Sequence, residues 1–347
     1  MGNVGIQDLT PFSVLAAIFF VSVAVGTCLA ANNLSSPNRE VLLFQEFGQI
    51  FILSPDGGEP QEIPYDRNHG SAKGLAAKPT LFIHLVDDQR QFILQEVAFS
   101  GEVLAQYQAP VATEVAVSPD GTQVLYESFL EGNSLWIQTL LSGAKLEVWG
   151  KEPSSPHYRD LTWSSGSDLI AFTKDVPQQV ENGWFRHNFQ TYYMRVADKQ
   201  PVLLSQNLYA RNPVFSPDSR HIAYWEKKDS APEGEWDLYV QEIASIQNSQ
   251  SRVKVIGRAK IHVGPISWSP DGQWLLWGEN IERGRLLGRK PFFDFYKVRV
   301  DGSDLHEIPV ERPLWRRVWR EIWPPSEKNG SPQDIQWWAI PASVPKN

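Results

Sequence analysis

Histidine and arginine side chains recur at one position of a repeated pattern, and they are the residues with which this chain could do chemistry. The chain has seven histidines, and none lies in an HExxH motif or another short-range metal-ligand spacing. When the repeats described below are aligned, however, the position six residues before the last apolar residue of the first strand holds Val111, His157, Tyr209, His262 and Arg317. Two or three positions later come Thr113, Glu114, Arg159, Asp160, Arg211, Asn212 and Arg320.

These residue types suit the binding of a carboxylate, a peptide end or a metal ion. An arginine fork can donate two parallel hydrogen bonds to a carboxylate, and the neutral imidazole of histidine is a common metal ligand. The candidate binding residues are His157, Arg159, Tyr209, Arg211, His262 and Arg317. A metal-dependent enzyme would use His157 and His262 and would need at least one further ligand. In the alternative interpretation these segments are polar because they meet water, and neighbouring arginines and aspartates pair with each other.

The repeat that aligns these residues is a hairpin built around a Ser-Pro-Asp-Gly turn. It reads ISWSPDGQWLLW at 266–277, and it recurs as VAVSPDGTQVLY at 115–126, LTWSSGSDLIAF at 161–172 and PVFSPDSRHIAY at 213–224. Proline, aspartate and glycine favour a tight turn, and the apolar flanks favour strands. The first serines of the turns are separated by 46, 52 and 53 residues, and units of this length with about four strands indicate propeller blades.

The two ends of the chain complement each other. Residues 39–64 resemble the later strands of a unit that lacks its first strand, whereas residues 318–341 resemble the opening of a unit that lacks its end. A degenerate complete unit lies at 79–107. Pairing the two ends would close a ring without free sheet edges. The sequence therefore predicts an all-β, six-bladed β-propeller of four-stranded antiparallel blades, with one blade shared by the two ends.

The turn pattern resembles the TolB-like propeller repeat, in which an aromatic residue precedes Ser-Pro-Asp-Gly. The match is close at 117–121 and 268–272, good at 215–218 and weak at 163–167. Proteins with this repeat include envelope proteins that bind partners, propeller parts of serine peptidases and a few sugar-cleaving enzymes, so the resemblance implies architecture more than activity. No α/β domain is expected before the propeller, and no Gly-x-Ser-x-Gly elbow of an α/β-hydrolase is present.

The N-terminus carries an apolar segment at 12–31, which contains no charged residue. Its 20 residues could span a bilayer as a helix or form the core of a signal peptide. Lipidation at Cys28 is disfavoured, because Thr27 stands where a small residue is required. We expect a signal peptide or transmembrane anchor at 1–31, a polar tether at 32–38, the propeller at 39–341 and a short tail at 342–347.

Other patterns have a structural and a functional interpretation. The segment LWRRVWREIW at 314–323 places Trp315, Trp319 and Trp323 four residues apart, which suits a membrane or partner surface on a helix or an ordinary strand of the repeat. Two long inter-strand loops are predicted at 181–189, with Trp184 and Phe185, and at 280–292. The turn residues Asp120, Asp218 and Asp271 are predicted to bond their own backbone and not to form a catalytic pair.

These observations favour a non-enzymatic protein that is membrane-associated or exported and binds a protein or peptide partner in the cell envelope. No convergent nucleophile, base and orienting group is visible, and no cofactor is expected. The net charge of −8 argues against a nucleic-acid partner. Two alternatives remain open. One is a metal-dependent sugar lyase or hydrolase with its site at one mouth of the propeller's central channel, where the candidate binding residues are expected because they precede or begin the innermost strands. The other is a sensor module for a small ligand.

Overall fold

The structure is a computed structural model. In the part of the chain that it describes, the regular elements are β-strands and one short 3-10 helix at Ile243–Ser245. The structure describes residues 40–46, 49–65, 71–75, 78–86, 89, 91–112, 114–128, 130, 132–150, 156–179, 185–207, 209–227, 235–245, 252–259, 263–282, 291–311 and 335–339.

The strands form six four-stranded antiparallel sheets, which we number as blades 1 to 6. Blades 1, 2 and 3 contain, from the innermost strand outward, β24 (Ile335–Ala339), β1 (Glu40–Glu46), β2 (Gln49–Leu53) and β3 (Gln61–Ile63); β4 (Ser71–Leu75), β5 (Lys78–Val86), β6 (Phe92–Ala98) and β7 (Val103–Gln108); and β8 (Val115–Val117), β9 (Gln123–Ser128), β10 (Ser134–Thr139) and β11 (Lys145–Trp149).

The remaining three blades follow in chain order. They contain β12 (His157–Trp163), β13 (Leu169–Gln179), β14 (Phe185–Arg195) and β15 (Val202–Leu203); β16 (Ala210–Phe215), β17 (His221–Glu226), β18 (Trp236–Glu242) and β19 (Arg252–Ala259); and β20 (Val263–Trp268), β21 (Trp274–Glu282), β22 (Pro291–Arg299) and β23 (His306–Ile308). The predicted six-bladed β-propeller of four-stranded blades is therefore confirmed.

Blade 1 joins the two ends of the chain, as the sequence predicted. Strand β24 pairs antiparallel with β1, with Val41 opposite Trp338 and Leu43 opposite Gln336. The β24 strand also lies beside β20 of blade 6 and β4 of blade 2, so it occupies the innermost position between them. The innermost strand of the composite blade is thus contributed by the C-terminal part of the chain, and the three outer strands come from the N-terminal part.

Alternating side chains give each blade two apolar faces, and every face packs against a neighbouring blade. In β1, Val41 and Leu43 join a cluster with residues of blade 2, whereas Leu42 and Phe44 join a cluster with residues of blade 6. Four further clusters fill the other interfaces between consecutive blades. Six interfaces are therefore filled, and the ring is closed by packing as well as by strand pairing.

The serine of each repeated turn is buried and connects the two strands of its hairpin. The Oγ atoms of Ser118, Ser164, Ser216 and Ser269 each accept the backbone N–H of the residue five positions later at 2.9 Å. Each hydroxyl also donates to an aspartate of the same turn. The residue three positions after each serine has a positive φ, which explains the glycines at 121 and 272.

The turn aspartates have the local role that the sequence predicted. Asp120, Asp218 and Asp271 accept backbone N–H groups two residues later, at 3.1, 2.9 and 3.0 Å. The hydrogen bond from Ser216 lowers the pKa of Asp218 below its ordinary value, with burial acting in the opposite direction. The prediction that these aspartates serve the turns is therefore confirmed.

Several predicted boundaries differ from the observed ones. The predicted loop at 181–189 is partly strand, because β14 begins at Phe185, and the predicted loop at 280–292 is shortened by β21, which runs to Glu282. In both hairpins the backbone pairing continues into residues that the sequence analysis assigned to the loop. The degenerate unit begins at Ser71 instead of residue 79.

Some predictions fall outside the described residues. They concern the apolar segment 12–31, the tether 32–38, the tail 342–347 and the tryptophan-rich segment 314–323. One aligned position is wrong, however. The innermost strand of blade 1 is β24 at Ile335–Ala339, so Arg317 and Arg320 do not stand before a first strand at the spacing that His157 and Arg159 have. Within the part of the chain that is described, we find no helix with the length and apolar character needed to cross a bilayer.

We expect ring closure to determine stability. A chain that ends after Asp334 lacks β24 and leaves the inner edge of β1 uncovered. Its melting temperature should fall by about 10 °C or more, the shift that a loss of about 5 kcal/mol produces in a large domain. A matched chain that ends after Ser343 retains β24 and should melt like the full chain. Equal melting of all three chains in circular dichroism would show that β24 does not close the ring.

The buried turn serines give a second stability prediction. In Ser269→Ala, the N–H of Trp274 loses its acceptor inside the protein, so unfolding should become easier by about 1–3 kcal/mol. The control is Ser142→Ala, because Ser142 is exposed and accepts the N–H of Ala144 at 3.2 Å. That change should cost less than about 0.5 kcal/mol in urea unfolding. Similar losses in both variants would contradict a special role for the buried serines.

Candidate functional site: a basic rim on blades 4 and 5

One end of the ring carries the candidate binding residues that the structure describes, because the first strands of blades 4 and 5 begin there. His157 starts β12 and lies opposite Asp175 of β13, and β13 continues past this pair to Gln179. The β13–β14 hairpin therefore extends beyond the start of β12. Its residue Phe189 forms a parallel bridge with Tyr209, just before β16 begins. Blades 4 and 5 are thus joined at this end of the ring.

A buried glutamate of blade 3 holds the start of blade 4. Glu127, near the end of β9, accepts the backbone N–H of Tyr158 at 3.0 Å, and its Oε1 lies 3.3 Å from Nδ1 of His157. Burial raises the pKa of Glu127 above its ordinary value of 4.5, while the Tyr158 N–H and the charge of His157 act in the opposite direction. The carboxylate thus orients the imidazole of His157, which is itself partly exposed.

A second buried carboxylate holds two further basic side chains. Asp175 is almost fully buried, and its Oδ1 lies 2.8 Å from Nδ1 of His187 on β14. Its Oδ2 lies 3.4 Å from Nε of Arg159 on β12. Because one carboxylate faces both groups, the positions of His187 and Arg159 are linked. Both basic side chains are about half exposed.

A relay of polar side chains connects the first strands of blades 3, 4 and 5. Glu114 accepts the backbone N–H groups of Asp160 at 3.0 Å and Leu161 at 2.8 Å. Asp160 in turn accepts the N–H of Asn212 at 3.0 Å and lies 3.7 Å from Nη2 of Arg211. Asp160 and Asn212 each lie in a bulge of their strand, with φ values of 53° and 55°.

Arg211 is further positioned by an aromatic ring and by its neighbour. Its guanidinium lies 5.5 Å from the ring centre of Phe189, a cation–π distance, and its Nε donates to Oδ1 of Asn212 at 2.7 Å. We call the four basic residues His157, Arg159, His187 and Arg211 the rim cluster. Each member contacts a carboxylate that is buried or half-buried and keeps part of its surface exposed.

Four of the six predicted binding residues are described, and they lie on neighbouring blades. His157, Arg159 and Arg211 belong to the rim cluster, and Tyr209 lies next to it. His262 and Arg317 lie outside the described residues, so the alternative metal pair of His157 and His262 stays a prediction. Among the residues that the structure describes, no group of three or more His, Cys, Asp and Glu side chains is placed to hold a metal ion.

The sequence interpretation missed the residues that support the cluster. Glu127 and Asp175 lie on second strands and His187 on a third strand, whereas only residues before and within first strands were aligned. A signal was present, since Glu127, Asp175 and Glu226 are acidic residues that follow a short, mostly apolar run in a second strand. A charge in a buried strand requires a partner, and that partner lies on an adjacent strand or blade.

The cluster can bind an anion, and its geometry favours a carboxylate. The basic groups are held in place before any ligand arrives, which lowers the entropic cost of binding. The two arginines can each donate paired hydrogen bonds, and the histidines can add further donors when protonated. Glu127, Asp175 and Asp160 balance the charges of the two arginines, so the cluster suits a weakly anionic group, such as one carboxylate, better than a polyanion.

The raised pKa of Glu127 predicts a pH effect on stability. A buried acid with a raised pKa stabilises the fold while it is protonated, and this contribution is lost as the pH rises from about 4.5 through the pKa of the folded state. In Glu127→Gln the amide oxygen can still accept the Tyr158 N–H, so stability should depend less on pH between about 4.5 and 7. Urea unfolding at several pH values measures this, and identical profiles for variant and wild type would contradict it.

Sequence comparison finds one local similarity to a known protein. No protein-family model matches the sequence. A segment of 122 residues, 34% of this chain, is 31% identical to the Tol-Pal system protein TolB of Alcanivorax borkumensis and covers 25% of that protein. The match therefore spans about a quarter of the length of this curated relative.

Solved structures match over more of the chain. TolB from Acinetobacter baumannii has a TM-score of 0.54 at 12% identity, over 86% of this chain and 66% of that chain. A putative TolB from Agrobacterium tumefaciens has 0.52 at 12%, over 79% and 89%. Oligogalacturonate lyase in complex with manganese has 0.50 at 10%, over 77% and 72%. The six sheets and these similarities together identify the fold of this chain as a TolB-like six-bladed β-propeller.

Proposed function

We propose that this protein is a non-enzymatic scaffold that binds a protein or peptide partner through the rim cluster. The observation that supports this function best is the arrangement of His157, Arg159, His187 and Arg211, each oriented by a carboxylate and each partly exposed. In a chain with a net charge of −8, this surface exposes basic groups, whereas the carboxylates that they contact are buried or half-buried. Such a surface attracts an acidic group and rejects basic ones.

The partner chemistry that fits the rim cluster is a carboxylate on an otherwise uncharged segment. A peptide C-terminus or an acidic side chain presents two oxygens to an arginine fork. Phe189 and Tyr209, next to Arg211, add aromatic surface of the kind that is enriched in binding hot spots. The binding energy in this proposal comes from the two arginines and the aromatic pair, and the histidines contribute when they are protonated.

We further propose that the propeller lies outside the cytoplasm, in the cell envelope. The apolar residues 12–31 supply a signal peptide or a membrane anchor in this proposal, followed by the tether at 32–38. The local identity to a Tol-Pal system protein supports a role among envelope proteins. The similarity to a manganese-containing lyase concerns the fold alone, and the enzyme alternative enters the test below as a competing outcome.

The experiment is a crosslinking pull-down from membranes with the full chain and a double variant, Arg159→Gln with Arg211→Gln. Each substitution removes a charged donor, so recovery of a specific partner should fall about tenfold or more. The control is Arg195→Gln, because Arg195 is exposed to a similar extent as Arg159, at 51% against 53%, and also pairs with an aspartate. The control should recover the partner as the unmodified chain does.

Two results would contradict the proposal. Equal recovery of the partner by the double variant and the control would show that the rim cluster does not bind it. A stoichiometric divalent metal in the purified chain, together with an activity on acidic sugars that His157→Ala abolishes, would replace the scaffold with an enzyme. Sequencing the N-terminus of the protein recovered from membranes tests the localisation separately, by showing whether residues 1–31 are retained.

A further inference from the structure

The connection from β15 to β16 joins blade 4 to blade 5 and is held by side-chain hydrogen bonds. The N–H of Leu204 donates to the carbonyl of Thr191 at 2.8 Å, which attaches the start of the connection to β14. Ser205 is buried, and its Oγ accepts the N–H of Asn207 at 3.0 Å. Oδ1 of Asn207 then accepts the N–H of Tyr209 at 3.1 Å. In both turns a side chain accepts the N–H two residues later, which satisfies backbone donors outside a strand.

A buried glutamate of blade 5 anchors this connection. Glu226 ends β17, and its Oε2 accepts the hydroxyl of Ser205 at 2.5 Å. The same oxygen lies 2.5 Å from Nη1 of Arg252, on the outermost strand β19. The guanidinium of Arg252 also lies over the ring of Tyr239, 4.3 Å from its centre. Because a buried carboxylate requires such partners, Glu226 is held between the connection and the outermost strand.

The next residue of blade 5, Lys227, completes the attachment. Its N–H donates to the carbonyl of Tyr209 at 2.9 Å, and its carbonyl accepts Nδ2 of Asn207 at 2.6 Å. The N–H and the carbonyl of Tyr209 are therefore both hydrogen-bonded, to Asn207 and to Lys227. A network of contacts thus runs across blade 5, from Arg252 on its outermost strand to Tyr209 beside its innermost strand.

Tyr209 is the residue at which this network meets the rim cluster. It forms the parallel bridge with Phe189, whose ring lies 5.5 Å from the guanidinium of Arg211. Arg211 is the second residue after Tyr209, so the backbone position of Tyr209 also determines where Arg211 leaves the chain. A displaced Tyr209 would therefore move Arg211 relative to the Phe189 ring and to the carboxylate of Asp160.

We propose that Ser205, Asn207 and Glu226 are positioning residues for the rim cluster. They hold Tyr209, and with it Arg211, in the geometry that binds the carboxylate of the partner. This inference rests on the proposed function and adds residues that act on the site through Tyr209. Groups that are fixed before binding lose less entropy when the partner arrives, so a loosened connection should weaken binding although every basic group of the cluster is retained.

Hydrogen exchange of the unliganded chain tests the positioning step by itself. Ser205→Ala removes the hydroxyl that links Glu226 to Asn207, so peptides covering 205–211 should exchange at least about tenfold faster. Ser205→Thr keeps a hydroxyl at this position and should exchange slowly. If Ser205→Ala does not fold, Asn207→Ala takes its place, because Asn207 is only partly buried and accepts the N–H of Tyr209.

A buried hydroxyl in blade 2, which does not adjoin blade 4 or blade 5, provides the matched control. Thr80 is buried and donates to the buried carboxylate of Glu96 at 2.9 Å, as Ser205 donates to Glu226. Thr80→Val removes this hydrogen bond and should lower stability to a similar extent. Exchange at 205–211 should stay as in the unmodified chain.

Binding is measured by NMR titration with N-acetyl-phenylalanine, which presents a free carboxylate beside an aromatic ring. Its dissociation constant should rise about fivefold or more in Ser205→Ala and change by less than about twofold in Thr80→Val. The double variant Arg159→Gln with Arg211→Gln tests the rim cluster itself and should bind the compound at least about tenfold more weakly.

Unchanged exchange at 205–211 in Ser205→Ala, or in Asn207→Ala where that variant is used, would overturn the inference. Faster exchange with unchanged binding would overturn it as well, because the residues would then hold the connection without positioning the site. The proposed function fails differently, when the unmodified chain does not bind N-acetyl-phenylalanine or the double arginine variant binds it equally well. The positioning role would then fall with the site, whatever the exchange shows.

Discussion

The structure depends on one constraint, which is that each blade has two apolar faces and neither can be left uncovered. In β1, Leu42 and Phe44 face blade 6, while Val41 and Leu43 face blade 2. Every sheet with this alternation needs a neighbour on both sides, and a linear stack would always leave two faces in water. A closed ring removes the problem, and the described clusters fill all six interfaces between neighbouring blades.

Ring closure also explains why the polar residues at the rim act across blades. The first strands converge around the axis, so a carboxylate of one blade can reach backbone N–H groups of the next, as Glu114 and Asp160 do. A buried carboxylate without such partners would be costly. The same contacts that satisfy these carboxylates also orient the basic side chains of the rim cluster. Packing and binding surface are therefore linked, since a change in blade arrangement would move the site.

Much of the fold could be predicted from the sequence because its signals are local. The residues of the Ser-Pro-Asp-Gly turns favour one backbone geometry, and the complementary ends of the chain indicate how the ring closes. Part of the site could also be predicted, since His157, Arg159 and Arg211 occupy aligned positions. Glu127, Asp175 and His187 could not, because their role depends on which strands lie side by side across and within blades. The length of the β13–β14 hairpin also could not be predicted, because its outer part contains polar residues. Gln178 pairs with Arg186 and Asn188 pairs with Val176, in a ladder that extends past the apolar core.

Hydrogen exchange with peptide-level mass spectrometry tests the central claim most directly, which is that the two ends of the chain share one sheet and close the ring. Strand pairing protects backbone amides in both partners. Peptides that cover β1 and β24 should therefore exchange as slowly as peptides from β17, which lies inside a blade built from continuous sequence. If residues 335–339 exchange at the rate of an unstructured chain while β17 stays protected, the ring is not closed in this way, and the position of the rim cluster loses its structural basis.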